Sequence, residues 1–126
     1  MNAQVAMRQY QKVGIHAQVS EASPHGLIQL LMQGGIDRIT QAKGAMEFGQ
    51  TANKGMLISK SAAIICGLQA ALDMERGGEI AQNLGRLYDY MIRRLTQANQ
   101  KNDPAILDEV VALLREVKSG WDGIKP

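Results

Sequence analysis

The hydrophobic residues of the chain recur mainly at spacings of three and four, which is the period of a helix buried along one side. This pattern predicts four helices, over residues 24–48, 54–74, 79–99 and 104–121. No alternating strand pattern competes with them. Short polar connections make each helix run antiparallel to the one before it. The sequence therefore predicts an all-α fold, an antiparallel up-down-up-down four-helix bundle with an N-terminal extension.

Local signals mark where these helices begin and end. Ser23-Pro24 and Asp103-Pro104 each combine a side chain that caps free backbone amides with a proline at the first helical position. Gly77-Gly78 can adopt the positive φ of a tight turn between helices two and three. Tyr88 and Tyr90 point roughly 200° apart on helix three, so we expect Tyr88 to be buried and Tyr90 to be exposed.

A pair of glycines, Gly34-Gly35, falls inside helix one. Each glycine costs about 1 kcal/mol relative to alanine in a helix interior. The pair either lets a neighbouring backbone come close or is a tolerated defect.

With 126 residues, of which 45% are apolar, the chain is long enough to bury one core. We expect a single helical domain over residues 1–126, with a flexible N-terminal segment at 1–20 and a four-helix core at 23–120. The aromatic residues are one Trp, three Tyr and one Phe, so the predicted core is largely aliphatic.

Charge, hydropathy and cysteine content exclude several classes of protein. A formal net charge of +2, with Arg93-Arg94 as the main basic cluster, argues against a nucleic-acid binder. The N-terminus lacks the apolar stretch of a secretory signal, and the most apolar window, 56–72, is short for a membrane span of about 20 residues. The single Cys66 cannot form an internal disulfide and is predicted to be a small core residue. We expect a cytoplasmic protein without a membrane span.

The sequence lacks the convergent reactive groups that an enzyme needs. His16 and His25 lie outside the long apolar stripes, and there is no Glu-x-x-His pair for a metal in a helix bundle. No glycine-rich phosphate loop is present, and Cys66 has no histidine at a helical spacing. We therefore predict no enzymatic activity, no metal and no cofactor.

Helix two has more apolar residues than one buried face requires. It is either a central helix packed on several neighbours, or part of its surface forms a groove for another chain. The seven methionines of the chain favour adaptable contacts, although each alone is ordinary core filler. The apolar positions of helix two are Met56, Leu57, Ile58, Ala62, Ala63, Ile64, Ile65, Leu68, Ala71 and Leu72.

Several motifs, taken in order over nearly the whole chain, resemble those of the flagellar export chaperones of the FliS family. They are GGEIAQNL at 77–84, YDYMIRRL at 88–95, LDEV at 107–110 and the late Trp121. The family often carries an aromatic in a Leu-Tyr-Asp/Glu-Gly context in its first long helix, where this chain has Met32.

The resemblance implies a cytosolic chaperone that binds the disordered C-terminal segment of flagellin in an apolar groove. Such binding prevents premature polymerisation and keeps flagellin competent for the flagellar type III secretion apparatus. The resemblance also implies that the N-terminal segment covers the client groove as a lid and helps present the complex to an export gate component, with Met7 and Tyr10 at the matching positions.

The partner predictions extend beyond flagellin. An anti-sigma factor or a co-chaperone is a further candidate partner, and we expect a monomer or a weak homodimer. The alternative is a helical adapter or dimerisation module without a flagellin client. The residues predicted to contact the client or a partner are Met7, Tyr10, Val13, Ile15, Leu57, Ile58, Ile65, Leu68 and Tyr90.

Overall fold

Four helices make up a closed bundle in the computed structural model, which describes Gln4 and residues 23–124. Each helix packs against the next along the chain, and the last packs against the first. The prediction of an all-α four-helix bundle is confirmed. The helices are α1 (Pro24–Glu47), α2 (Thr51–Ala70), α3 (Met74–Lys101) and α4 (Pro104–Asp122).

The core is aliphatic, with contributions from all four helices. Tyr88 is the aromatic exception, since only 2% of it is exposed, as predicted from its position on the stripe. Burial raises the pKa of its hydroxyl to about 12. The largest completely buried apolar side chains include Leu31, Ile39, Ile64, Ile65, Met91, Leu95, Leu107 and Leu114.

The predicted starts of α1 and α4 are confirmed by their caps. The Ser23 hydroxyl accepts a hydrogen bond of 3.0 Å from the N–H of Gly26. The Asp103 carboxylate accepts one of 3.0 Å from the N–H of Ala105. Each cap satisfies a backbone amide that has no partner within the helix.

The predicted break at Gly77-Gly78 is confirmed at Gly78, but the helical turn before it was not predicted. Helix α2 ends at Ala70, and α3 begins at Met74, because the Asp73 carboxylate accepts a 3.0 Å hydrogen bond from the N–H of Arg76 and caps an earlier start. Gly78 has a non-helical φ of 51°, and this kink separates the short first turn of α3 from the long helix that follows. Helix α2 also begins three residues before the predicted Lys54.

Gly35 sits where α1, α2 and α4 come close together. A Cβ on this residue would lie 3.1 Å from Cδ2 of Leu114 and 3.5 Å from Cγ2 of Ile64. Gly35 is therefore more than a tolerated defect, but the atoms that pack closely against it belong to neighbouring side chains and not, as predicted, to a neighbouring backbone.

Polar ties hold the end of the bundle where α1 and α3 finish. The guanidinium of Arg94 lies 2.7 Å from the Glu109 carboxylate, joining α3 to α4. Lys43 lies 3.0 Å from Asp108, joining α1 to α4. The buried Lys54 donates to Oδ1 of Asn102 at 2.9 Å, which fastens α2 to the end of α3.

Candidate functional site

An apolar groove of about 480 Å³ opens at the opposite end of the bundle, where α1 and α3 begin and α2 and α4 finish. Its floor consists of buried side chains, and its rims are half-buried or exposed. The floor residues are Ile28, Met32, Leu68, Ala71, Ala81 and Tyr88. The rim residues are Leu72, Asp73, Gly77, Ile80, Leu84, Glu116, Val117, Gly120, Trp121 and Ile124.

The groove lies between α3 and α4 because little holds these two helices together at this end. Among residues 23–124, the side-chain hydrogen bonds that join α3 to α4 all converge on Glu109, near the far end. On the groove side, α4 presents Gly120, and a Cβ there would meet no atom within 4 Å. The missing side chain leaves space that a guest can fill.

Exposed apolar side chains border this space. Ile80 is 73% exposed, Ile124 is 54% exposed and Met74, at the start of α3, is 52% exposed. Fully burying one such side chain is worth about 1.5–3 kcal/mol. A cluster of this kind at a concave surface is typical of an interaction site.

One wall of the groove is held firmly by contacts between α1 and α4. The Trp121 Nε1–H donates to the His25 carbonyl at 3.0 Å. The two rings stack with their centroids 4.7 Å apart. Asp122 accepts from Lys118 at 2.7 Å and from Gln29 at 2.8 Å, and these two bonds hold its pKa below the ordinary value. Trp121 is therefore a fixed surface against which a guest can pack.

The opposite wall is the first half of α3, which is joined to α2. The Gln69 amide donates to the Gly85 carbonyl at 3.1 Å and to the Asp89 carboxylate at 2.8 Å. The bend at Gly78 lies at the start of this wall. Thus α3 is attached on its α2 side and open on its α4 side.

Both charged residues that line the described groove are acidic. Asp73 caps α3, and its hydrogen bond from the Arg76 N–H lowers the pKa of its carboxyl. Glu116 is exposed on the α4 rim. No Lys, Arg or His among residues 23–124 lines the groove.

The structure separates the residues that were predicted to contact a client. Leu68 lies in the groove floor. Leu57, Ile58 and Ile65 are buried in the bundle core and do not line the groove. Tyr90 is half-buried, and its hydroxyl donates to Glu109 at 3.0 Å. A client role for these residues stays a prediction.

The predicted N-terminal contacts, Met7, Tyr10, Val13 and Ile15, lie outside the described residues. Their proposed position over a client groove therefore stays a prediction as well.

Most residues of the groove are not among those that the sequence predicts to contact a client. Ile80, Leu84 and Val117 lie at helical spacings in apolar stripes, which is typical of core positions, but in the structure they form the rims. The sequence feature that indicates the groove is Gly120, which lies between Val117 and Trp121 and leaves a gap in the apolar stripe of α4. Met32, at the position where the FliS family often has an aromatic, is buried in the floor.

The prediction that Cys66 is a core residue is wrong. Ile64, Ile65 and Leu68 take the inward positions of α2, so Cys66 points outward and its thiol is exposed. The outer face of α2 carries no acidic residue, and its exposed positions include Ala52, Met56, Ser59, Cys66 and Ala70. Helix α2 is thus packed on α1 and α3 and still presents to solvent a surface without acidic residues, beside the half-buried Lys60.

The described residues contain neither a candidate membrane span nor a cluster of metal-binding side chains. No helix within them combines the length and the hydropathy needed to cross a bilayer. No group of three or more His, Cys, Asp or Glu residues in this part of the chain is arranged to hold a metal ion.

Comparisons with known proteins agree on one family. A model of the family described as flagellar protein FliS matches residues 6–126. The flagellar secretion chaperone FliSB of Pseudomonas aeruginosa is 65% identical over 124 residues, covering 98% of each chain. The flagellar secretion chaperone FliS of Vibrio cholerae is 48% identical, covering 96% of this chain and 89% of the relative. The corresponding protein of Salmonella typhimurium is 45% identical, covering 95% and 90%. The chain therefore belongs to the FliS family of flagellar proteins.

Proposed function

We propose that this protein is a cytoplasmic chaperone that binds the disordered C-terminal segment of flagellin in the groove between α3 and α4. Its relatives are named flagellar secretion chaperones, which supports a flagellar protein as the client and a non-enzymatic role. Covering this segment prevents premature polymerisation and keeps flagellin competent for the flagellar type III secretion apparatus.

The observation that carries the proposal is the open apolar groove with Ile80 exposed on its rim. A segment that is disordered when free can present an apolar helical stripe to such a groove. The apolar side chains of this segment displace water from Ile80, Leu84 and Trp121, and this burial of apolar surface stabilises the complex.

The groove alone is too small for the whole client segment. Coupled folding and binding costs about 2–5 kcal/mol or more and involves burial of roughly 1,000–3,000 Å². We place the rest of the client along the outer face of α2, which carries no acidic residue; the chain directly after α2, Ala71 and Leu72, lines the groove. In this arrangement Leu68 contacts the client directly. The other predicted residues of α2, namely Leu57, Ile58 and Ile65, contribute indirectly, because their packing in the core holds α2 in position.

The N-terminal segment, residues 1–20, is proposed to close over the groove as a lid through Met7, Tyr10, Val13 and Ile15. Opening the lid exposes the groove to flagellin, and the displaced segment helps present the complex to an export gate component. An anti-sigma factor or a co-chaperone that uses the groove would then compete with flagellin.

The experiment that tests this proposal is co-purification of the chaperone with flagellin from the same bacterium. We expect a stable complex with full-length flagellin and its loss when the C-terminal segment of flagellin is removed. A helical adapter or dimerisation module would show no such dependence. In that case light scattering would show whether the free chain forms a dimer.

A further inference from the structure

We propose that the groove selects an amphipathic segment with a Lys or Arg beside its apolar stripe, and that Glu116 is the residue that pairs with this cation. The inference rests on the proposed function and deepens it, because it specifies the chemistry of the client segment. It follows from the charge of the groove and from a repeat in the register of α4.

The groove is acidic although the chain is not. The formal net charge of the chain is +2, yet Asp73 and Glu116 are the charged residues that line the groove in the described part of the chain. Asp73 is engaged as the cap of α3. Glu116 forms no hydrogen bond or ion pair with any residue between 23 and 124.

The register of α4 places Glu116 in the same position, relative to α3, as Glu109. The two residues are seven apart, which is about two helical turns, so they project from nearly the same side of α4. Glu109 accepts hydrogen bonds from Arg94 at 2.7 Å and from Tyr90 at 3.0 Å. The seam between α3 and α4 is closed there by an internal Arg–Glu pair.

Two helical turns nearer the groove, α3 has no basic residue at the positions that correspond to Arg94 and Tyr90. The residue seven before Arg94 is Leu87, and the residue seven before Tyr90 is Asn83. Arg86 donates its guanidinium hydrogen bond to Asn83. Thus α4 repeats the Glu of the Arg94–Glu109 pair at Glu116, but α3 has no Arg at the corresponding position. The groove lies there instead.

The basic residues next to Glu116 in sequence do not take this place. Lys118 binds Asp122 at 2.7 Å. Arg115 projects about 100° away from Glu116 around the helix. Residues 23–124 therefore leave Glu116 available to a cation of the guest.

A guest without a cation would bind less well, because it would remove water from the Glu116 carboxylate without giving that carboxylate a new hydrogen-bond donor. A Lys or Arg on the guest offsets this loss, and its aliphatic stem covers apolar surface such as Val117. A pair at an exposed rim contributes modestly to affinity and more to the selection and orientation of the partner.

The test measures binding of the flagellin C-terminal segment to the full-length chaperone by titration calorimetry at low and high salt. The variants are Glu116→Gln, Glu116→Lys and the control Glu47→Lys, which makes the same charge change at the opposite end of the bundle. A second peptide carries Gln in place of every Lys and Arg.

We expect Glu116→Gln to weaken binding about two- to five-fold at low salt and Glu116→Lys to weaken it further. The difference should shrink as added salt shortens the Debye length to about 3 Å near 1 M. The Gln-substituted peptide should lose a similar factor with the wild-type chaperone and lose little more with Glu116→Gln, because both changes remove the same pair.

Equal binding by the wild type, Glu116→Lys and Glu47→Lys at low salt would overturn the inference while leaving the proposed function intact. A Gln-substituted peptide that binds the wild type as tightly as the unmodified segment would overturn it in the same way. If the flagellin segment fails to bind even the wild type, the proposed function fails and this inference fails with it.

Discussion

At the scale of single residues, two helical glycines have opposite surroundings and opposite roles. Gly35 is buried where helices meet, and an added Cβ would press on Leu114 at 3.1 Å. Gly120 lines the groove, and an added Cβ would contact nothing within 4 Å. The first glycine serves packing, whereas the second keeps a binding surface open.

Alanine substitutions at these two glycines should shift stability in opposite directions. Gly120→Ala should raise the free energy of unfolding by about 0.5–1 kcal/mol, since alanine is the better helix former and space is available. For Gly35→Ala, overpacking costs about 1–3 kcal/mol and exceeds the helix gain, because Leu114 is completely buried. We expect a net loss of about 1 kcal/mol. Urea unfolding curves of the two variants check both signs, and a stabilised Gly35→Ala would contradict the close-packing account.

At the scale of elements, α3 is attached unevenly to the rest of the bundle. Its second half is tied to α4 through Arg94 and Glu109, and its first half is tied to α2 through Gln69. The groove occupies the part of the α3–α4 interface near Gly120, where no polar side-chain contact joins these two helices among residues 23–124. Its position thus matches the place where α3 and α4 separate.

The tie at Glu109 predicts a pH dependence of stability. The hydrogen bond from Arg94, followed by that from Tyr90, lowers the pKa of Glu109 below its ordinary value of 4.5. A carboxyl group whose pKa is lower in the folded state stabilises the fold above its unfolded pKa. This contribution is lost as the pH falls through the folded pKa.

The free energy of unfolding should therefore decline as the pH falls below about 4.5, and Glu109→Gln should decline less steeply. Urea titrations of the wild type and Glu109→Gln at pH 7 and at acidic pH measure the difference. Asp108→Asn, which alters an ion pair with Lys43 that is also on α4, serves as the control. Identical slopes for wild type and Glu109→Gln would contradict the proposed tie.

The elements could be predicted from the sequence much better than the site. Ser23 and Asp103 act as caps on their own backbone, so local chemistry decides where α1 and α4 begin. Helix α3 begins earlier than predicted because both local signals act: the Asp73 cap starts a helical turn at Met74, and Gly78 then breaks it before the long helix. The sequence wrongly predicts Cys66 to be buried and does not mark Ile80 as exposed, because an apolar residue on a helix does not reveal whether another helix packs against it. For Ile80 this depends on the separation of α3 from α4, which is a tertiary property.

At the scale of the whole molecule, α3 and α4 are joined by polar contacts at one end of the bundle and are separated by an apolar groove at the other. The fastened end contains Lys54 bound to Asn102, and the open end exposes Ile80 and Ile124. This polarity suits a chaperone that must fold stably by itself and still offer apolar surface to a client.

The lid hypothesis predicts the effect of deleting residues 2–15. A lid closed by about 2 kcal/mol leaves the groove open only about 3% of the time and weakens client binding roughly 30-fold. The deletion variant should therefore bind the flagellin C-terminal segment more tightly than the full chain by titration calorimetry. Unchanged or weaker binding would count against a lid.

The most direct measurement of the central claim is the affinity of the flagellin C-terminal segment for the variant Gly120→Leu. Gly120 lines the groove and no atom lies within 4 Å of the position of its Cβ, so a leucine fits there without a clash and adds bulk at the groove wall. Gly44→Leu is the matched control, because Gly44 is also helical, has equally open surroundings and does not line the groove. We predict that Gly120→Leu weakens binding about ten-fold or more, a loss of at least ~1.4 kcal/mol, whereas Gly44→Leu binds like the wild type. Wild-type affinity in a folded Gly120→Leu protein would contradict the assignment of this groove as the client site.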